Sequence, residues 1–340
     1  MVALPFHAEP ASLPAGDAAP LVWVLHDGKA GMASQSLGLA EATGFAFIEK
    51  RLDVRLPWAL LPPLLWVAPL AAASARGVRL TPPWPDLVIA CGRNAAMPAL
   101  AIRRASGGRT VAAQIQDPRI GRGEFDLMIV PEHDRLRGPR VITSKGALNR
   151  VTEGKLAAAR QRFPELAALP RPILGVLIGG SNRAYRLTLD RLGAIADAVA
   201  GCVRADGGSV VLTPSRRTGA AGITRLRERL AGLPATIWDM TGDNPYYAYL
   251  AVADAFLVTA DSVSMVSEAA ATGKPVHIVD LPGGDRKFAR FHAALREAGI
   301  TRRFAGRTES WHYPPLDDTA RAGAALRALV LERLGARRAG

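Results

Sequence analysis

Short apolar runs alternate with longer stretches of helical spacing along most of the chain, and the runs carry almost no charge. Leu21–Leu25, Phe45–Ile48, Leu87–Ala90, Val111–Ile115, Leu127–Val130 and Val141–Thr143 read as strands, with a helix between the first two that ends near Ala42. Each run ends in polar or glycine residues: "HDGKAGMASQ", "CGRNAAMPALAIRRA", "QDPR", "PEHD" and "SKGALNRV". Several of these open a helix. Near-continuous apolar strands are the mark of a sheet covered on both faces. Strands that alternate with helices predict a parallel, doubly wound sheet, whose ligand crevice lies beyond the carboxyl ends of its strands.

The pattern breaks over 151–172, a charged helix ending in "ALPRP" that reads as a linker. It then resumes with "ILGVLIGGSNRAYRLTLDRLGAIADAVA": a strand, a glycine turn and an amphipathic helix. Further segments follow in "SVVLTPSRRT", "ATIWDMTGDNPYYAYLAVAD" and "AFLVTADSVSMVSEAAATGKPVHIVD", the last holding strands at Ala255–Ala260 and Val276–Val279 around a helix. Helical spacing returns over 317–340. The expected organisation is a mobile leader over 1–20 and an N-terminal Rossmann-like domain over 21–150. The linker follows, then a C-terminal Rossmann-like domain over 173–316 and a terminal helix, with the two domains facing a cleft.

Composition narrows the partners. Lys and Arg number 43 against 30 Asp and Glu, a net charge of +13 that favours polyanions: nucleotide phosphates, anionic lipid or nucleic acid. No nucleic-acid module is recognisable, so no nucleic acid is expected. Cys91 and Cys202 lack metal-ligand spacing and read as buried thiols of a reducing compartment. No secretory signal is legible. Leu56–Val78 is the one membrane-like stretch, but its four prolines argue against a spanning helix. It reads either as a buried, proline-broken core segment or as an apolar face with Trp58 and Trp66 at a bilayer interface, beside Arg51, Arg55, Arg76 and Arg79.

The strand-end loops carry the candidate chemistry. "IGGSN" (Ile178–Asn182) reads as ending a strand and opening a helix, where Gly179, Gly180 and Ser181 either form a plain turn or offer amides to an anion. "PSRRT" sets Ser215, Arg216, Arg217 and Thr218 at a strand end. Paired guanidiniums suit a diphosphate, and a solvated basic turn is the plain alternative. Asp243 or Asn244 caps the helix of "NPYYAYLAVAD". Asp261, Ser262 and Ser264 stand where a strand meets a helix, with Met265 and, about two turns in, Glu268. A lone carboxylate on so apolar a helix either faces solvent or awaits a hydroxyl donor, and a ribose diol is a suitable one.

"SVSMVSEAAATGKPV" resembles the nucleotide-sugar segment of GT-B glycosyltransferases, such as the transferase that adds N-acetylglucosamine to lipid-linked peptidoglycan precursors. The glycine turn at Gly179–Ser181 resembles theirs too. Over roughly Trp23 to Pro315 the chain resembles the elongated-mitochondria (mitochondrial-fission factor) family. The carrying motifs, in order, are "DGKAG", "QDPR", "VPEHD", "GALNRV", "IGGSNRAYR", "PSRRT", "NPYYAYLAVAD", "TADSVSMVSEAAATGKPV" and "KFARFH". The resemblance implies a GT-B-like fold. Family members typically read Gly-His-Glu-Asn-Gln after "DGKA"; here Met32 and Ala33 replace the His and Glu, leaving Asp27, Lys29 and Gln35.

The expectation that follows is a metal-independent glycosyltransferase with no cofactor. Its donor, a nucleoside-diphosphate sugar, is held by the C-terminal domain through Gly179, Gly180, Ser181, Ser215, Arg216, Arg217, Thr218, Asn244, Asp261, Ser262, Ser264, Met265 and Glu268. No Asp-x-Asp motif stands in a suitable loop, so arginines and helix amides meet the leaving charge. Asp27 is the first choice for general base, with Asp117 and His133 as rivals; Lys29, Gly31, Gln35, Gly92, Arg93 and Gly146 stand on the acceptor side. A lipid-linked or envelope saccharide acceptor would place the chain in the cytoplasm, at the inner membrane surface. The alternative is a non-catalytic adaptor on the same scaffold, as implied for a plant family member that recruits a dynamin-type division protein.

Overall fold

The computed structural model describes residues 19–339 apart from 55, 57, 63, 64 and 74–77. The expected leader falls outside them up to residue 18, as do Arg55 and Arg76. The chain divides into two compact units. The first runs to Ser144 and takes in Leu148–Arg150 and the residues from Asp318 onward. Strands β1 (Val22–His26), β2 (Ile48–Arg51), β3 (Leu87–Cys91), β4 (Val111–Ile115), β5 (Leu127–Pro131) and β6 (Val141–Ser144) form one parallel sheet in the order β2-β1-β3-β4-β5-β6. Helices α1 (Ala30–Thr43), a short α2 (Pro69–Ala72) and α3 (Arg93–Ala105) lie between strands.

Alternate residues of each central strand point to opposite faces, as pleating requires. Val22, Val24, Leu87 and Ile89 join one apolar layer with Leu39 of α1, while Trp23, Leu25, Val88 and Ala90 join another with Ala96, Ala99 and Leu100 of α3. Both faces are thereby covered, which is why these strands contain no charge. One boundary differs from the reading of the sequence. The apolar run Phe45–Ile48 is the lead-in to β2; Phe45 is buried in the core, but pairing with β1 begins only at Ile48. An edge strand has one neighbour and tolerates charge on its open side, so Glu49, Lys50 and Arg51 form the ladder.

The second unit comprises Lys145–Ala147 and Val151–Asp317. The expected linker helix is shorter than 151–172: α4 spans Glu153–Arg162, and a 3-10 turn follows over Pro164–Ala168. Then come β7 (Ile173–Ile178), α5 (Leu189–Asp206), β8 (Ser209–Pro214), α6 (Gly219–Arg229), β9 (Ala235–Ile237) and α7 (Tyr246–Val252). The remainder is β10 (Ala255–Thr259), α8 (Val263–Ala270), β11 (Val276–Val279), α9 (Arg286–Glu297) and β12 (Thr301–Arg303). The sheet is again six-stranded and parallel, in the order β12-β11-β10-β7-β8-β9. Two such sheets are the architecture of the GT-B fold.

Leu56–Val78 is divided between buried and exposed residues. Trp66 is buried and its indole N–H donates to the Trp58 carbonyl at 3.0 Å, so it does not face outward. Ala73 reaches the core, and Leu70 and Val78 pack against it. Leu56, Leu60, Leu65 and Val67 are exposed, Val67 to 95%. Among the described residues no helix is long and apolar enough to cross a membrane.

The last helix, α10 (Asp318–Ala339), returns the chain to the first unit and packs on α1. Ala322, Leu326 and Val330 enter the α1 layer of the core. The backbones meet closely at Gly323, where an added Cβ would lie 2.4 Å from Ala42 Cβ and 2.7 Å from the Ala42 carbonyl. Alanine would gain about 1 kcal/mol of helix propensity there. Overpacking against backbone costs about 1–3 kcal/mol, so Gly323→Ala is expected to lower stability in urea denaturation, and Gly323→Val to lower it further.

Candidate functional site

In the second sheet the chain leaves β7 toward β8 on one side and leaves β10 toward β11 on the other, although β7 and β10 are neighbours. Connections that diverge in this way open a crevice at the carboxyl ends of the two strands. The residues found there are Gly179 and Gly180 after β7, and Asp261 and Ser262 after β10. They are tied to one another. Gly179 N–H donates to Thr259 Oγ1 at 2.8 Å, and Gly180 N–H donates to Asp261 Oδ2 at 2.9 Å. Arg217 Nη1 lies 2.8 Å from the same carboxylate oxygen and donates to the Gly180 carbonyl at 2.8 Å. The Asp261 side chain is wholly buried. Only glycine fits at 179, because a Cβ would stand 2.2 Å from Asp261 Oδ2.

The glycine loop does not open a helix, contrary to the reading of "IGGSN". Residues 179–188 are irregular, and α5 begins at Leu189 with Thr188 as its cap. Asn182 turns the loop, its Oδ1 accepting from the Ala184 and Tyr185 amides at 2.8 Å each, and its Nδ2 donates to the Asp261 carbonyl at 3.3 Å. An asparagine that bonds its own backbone competes with helix. Ser181 is spent likewise, accepting from Leu187 N–H at 2.9 Å. α8 does open directly after Asp261, with Ser262 Oγ capping Met265 N–H at 3.4 Å and Ser264 half-buried in the first turn.

The arginine pair is split. Ser215 and Thr218 both donate to the Gly179 carbonyl, Thr218 at 2.7 Å, so they brace the glycine loop. Arg217 turns onto Asp261; Arg216 is exposed and has no side-chain partner among the described residues. Glu268 is buried and accepts from the Tyr246 hydroxyl at 2.6 Å. The hydroxyl donor anticipated for Glu268 therefore exists within the protein. Burial, then the Glu268 charge, pushes the Tyr246 phenol well above its usual range, so it stays protonated and donating. Asn244 Oδ1 accepts from Tyr246 N–H at 3.0 Å and places the tyrosine at the start of α7. The alternative cap, Asp243, pairs instead with Arg162 at 2.7 Å.

In the first unit the diverging neighbours are β1 and β3. Asp27 follows β1, accepts from Lys29 N–H at 3.2 Å and pairs with the Lys29 ammonium. Gln35 Nε2 donates to the Gly31 carbonyl at 3.0 Å, and Gln116 after β4 reaches Gln35 Oε1 at 3.4 Å. Gly92 caps α3 and Arg93 begins it, exposed. Met32 fills space beside them, its sulfur 3.5 Å from Cys91 Sγ. Burial, and then the Asp27 charge, raises the Cys91 thiol pKa.

Asp117 is clamped by Arg122 at 2.8 and 2.6 Å and by Arg119 N–H at 2.9 Å. Burial pushes its pKa up, but these bonds and the two arginine charges outweigh that and hold it low, which makes it a poor proton acceptor. His133, the other rival for general base, is buried, 3.8 Å from Asp134. Gly146, expected on the acceptor side, lies in the second unit against Ser267, whose Oγ accepts from Ala147 N–H at 2.8 Å.

Residues 30–330 match the family described as "Mitochondrial fission ELM1". The chain belongs to that family. An Arabidopsis thaliana member, "Mitochondrial fission protein ELM1", is 37% identical over 271 residues. That match covers 72% of this chain and 63% of the plant protein, so the chain spans less than two thirds of its relative's length. A Rickettsia prowazekii protein, RP120, is 27% identical over 277 residues, 69% of this chain and 77% of that one. Among solved structures, a putative UDP-N-acetylglucosamine 2-epimerase from Listeria monocytogenes has the same fold, with TM-score 0.53, 13% identity, and coverage of 93% of this chain and 88% of that one.

For this member of the ELM1 family, the sequence reading singled out neither Asn182 nor Thr259, and it gave Tyr246 no particular partner. The available signals were the Asn in Gly-Gly-Ser-Asn and the tyrosine after Asn-Pro. The Asp261 bonds generate a prediction. Asp261→Ala leaves the buried Gly180 N–H without an acceptor and should cost about 1–3 kcal/mol. Asp261→Asn keeps an acceptor oxygen and should cost less, both read by chemical denaturation.

Proposed function

We propose that this protein is a glycosyltransferase that takes a nucleoside-diphosphate sugar through the β7/β10 crevice of its second unit. The observation that carries the reading is the convergence of Gly180, Arg217, Asp261 and Ser262 on strand ends that diverge there, with the buried Glu268 within the helix that opens from them. α8 points its N-terminus at the crevice, and amides at a helix start favour phosphate oxygens. Arg216 has no side-chain partner among the described residues, and Arg217 offsets the Asp261 charge that would otherwise repel a diphosphate. These groups meet the leaving charge as the bond to the sugar breaks. Glu268 takes the ribose, with Tyr246 holding its carboxylate in place. The acceptor and its base belong to the strand-end loops of the first unit, with Asp27 the base in preference to the clamped Asp117. A lipid-linked or envelope saccharide is the acceptor class, and the exposed Leu56, Leu60, Leu65 and Val67 suit a peripheral position on a membrane.

A second reading has its own support. Arg217 is paired with Asp261 and Tyr246 with Glu268, so two groups assigned to the ligand are satisfied without one. A scaffold that recruits another protein would need no more, and the plant relative is named for mitochondrial fission.

Thermal unfolding in the presence of UDP, GDP, ADP and CDP separates the two. At about a hundred times Kd a bound nucleotide stabilises by about 2.7 kcal/mol, which raises Tm by several degrees. A nucleotide that produces this shift supports the transferase, and Glu268→Gln should then weaken its binding roughly tenfold. A flat response to every nucleotide at saturating concentration would leave the adaptor.

A further inference from the structure

At the amino ends of the second sheet's strands, three cations gather around one carboxylate. Asp254 stands just before β10, Arg171 two residues before β7 and Lys274 two residues before β11, while Arg160 comes from α4. With Phe163 and Val252 they line a cavity of about 360 Å3, a volume within the usual range for small-molecule sites. The β7/β10 crevice lies beyond the other ends of these strands, and the six residues of β7 span about 20 Å. The cavity shares no residue with that crevice.

The charges here do not balance. Arg171 pairs with Asp254, whose other oxygen accepts from Ile173 N–H at 2.7 Å, so each carboxylate oxygen has a donor. Lys274 and Arg160 have no carboxylate. The Lys274 ammonium donates to the Leu250 and Ala251 carbonyls at 2.9 and 2.7 Å, and Arg160 Nη2 donates to the Ala251 carbonyl at 2.9 Å. Both carbonyls belong to the last turn of α7, where intrahelical partners run out. A carbonyl satisfies a donor but brings no net charge. Beyond these bonds the ammonium keeps one N–H and the guanidinium four. The Phe256 ring, 6.0 Å from Nζ, brings no charge either. Burial and then Arg160 lower the Lys274 pKa to about 8; Asp254 opposes them and Arg171 adds to them. An anion relieves that repulsion and takes the spare N–H groups in charge-assisted hydrogen bonds.

We infer that this cavity binds a small organic anion, its carboxylate or phosphate oxygens on Lys274 and Arg160 and its apolar body on Phe163 and Val252. The inference goes beyond the proposed transferase and stands whether or not the chain transfers a sugar. Carboxylate and phosphate share the chemistry of the head, and two probes separate them.

Calorimetric titration of the full chain with benzoate and with phenyl phosphate tests the two heads, and binding of either supports the inference. Neither probe changes charge appreciably between pH 7 and 9, since a carboxylic acid titrates near 4 and a phosphomonoester near 6. With a pKa of about 8, the ammonium passes over that range from about nine-tenths to about one-tenth protonated. The affinity should therefore fall about tenfold as the pH rises. Arg160→Gln, at an exposed position, should weaken binding roughly tenfold at pH 7, the worth of one charged hydrogen bond. Lys274→Met should weaken it similarly and remove the pH dependence; if that variant does not fold, Arg160→Gln and the pH profile decide. Arg296→Ala, which removes an exposed cation elsewhere in the same unit, should leave the affinity within about twofold. The inference is overturned if neither probe binds or if the affinity is level from pH 7 to 9. It is also overturned if Arg160→Gln binds as the unaltered chain does, or if Arg296→Ala loses as much as Arg160→Gln.

Discussion

A carboxylate placed where two neighbouring strands send their chains to opposite sides has to be neutralised from both, and Asp261 shows how this is done. It accepts the Gly180 amide from the loop after β7 and faces the guanidinium of Arg217 from the loop after β8. Withdrawn from water without these partners, the charge would cost several kcal/mol. With them it binds three strand-end loops into one surface. The closeness of Gly179, the bracing of its carbonyl by Ser215 and Thr218, and the bond from Asn182 to the Asp261 carbonyl all follow from that requirement.

Glu268 repeats the arrangement at smaller scale. A carboxylate on an apolar helix face is tolerable only with a donor in reach, and the Tyr246 phenol supplies one at 2.6 Å. Because burial and the carboxylate both raise the phenol's pKa, the pair holds its polarity over the whole neutral range. The two buried acids thus sit on one element, Asp261 just before α8 and Glu268 within it, each oriented by a different neighbour. Such a helix presents fixed charges and amides in a reproducible geometry, which binding and catalysis both need.

Much of this was legible beforehand. The central strands Leu87–Cys91, Val111–Ile115, Ile173–Ile178 and Val276–Val279 stand within a residue of their apolar runs, because a strand covered on both faces has no room for charge. The edges were less legible. β2 carries Glu49, Lys50 and Arg51, and β12 is Thr-Arg-Arg, since a strand with one neighbour is under no such restriction. The helix expected at Gly180 is absent for a local reason, the bonds Asn182 makes to its own backbone, which a Gly-Gly-Ser-Asn string permits without announcing.

From the sequence alone came the two parallel α/β units, the candidate loops and the acids within them, since periodicity and strand-end polarity are properties of neighbours along the chain. Which partner each polar group takes belongs to the tertiary structure. Arg217 and Asp261 are 44 positions apart in the chain, and Glu268 and Tyr246 are 22 apart. Whether Arg217 or Arg216 turns inward depends on which side of a loop faces a buried charge. No spacing rule encodes that choice; it is made by burial, which leaves an unpaired carboxylate no alternative.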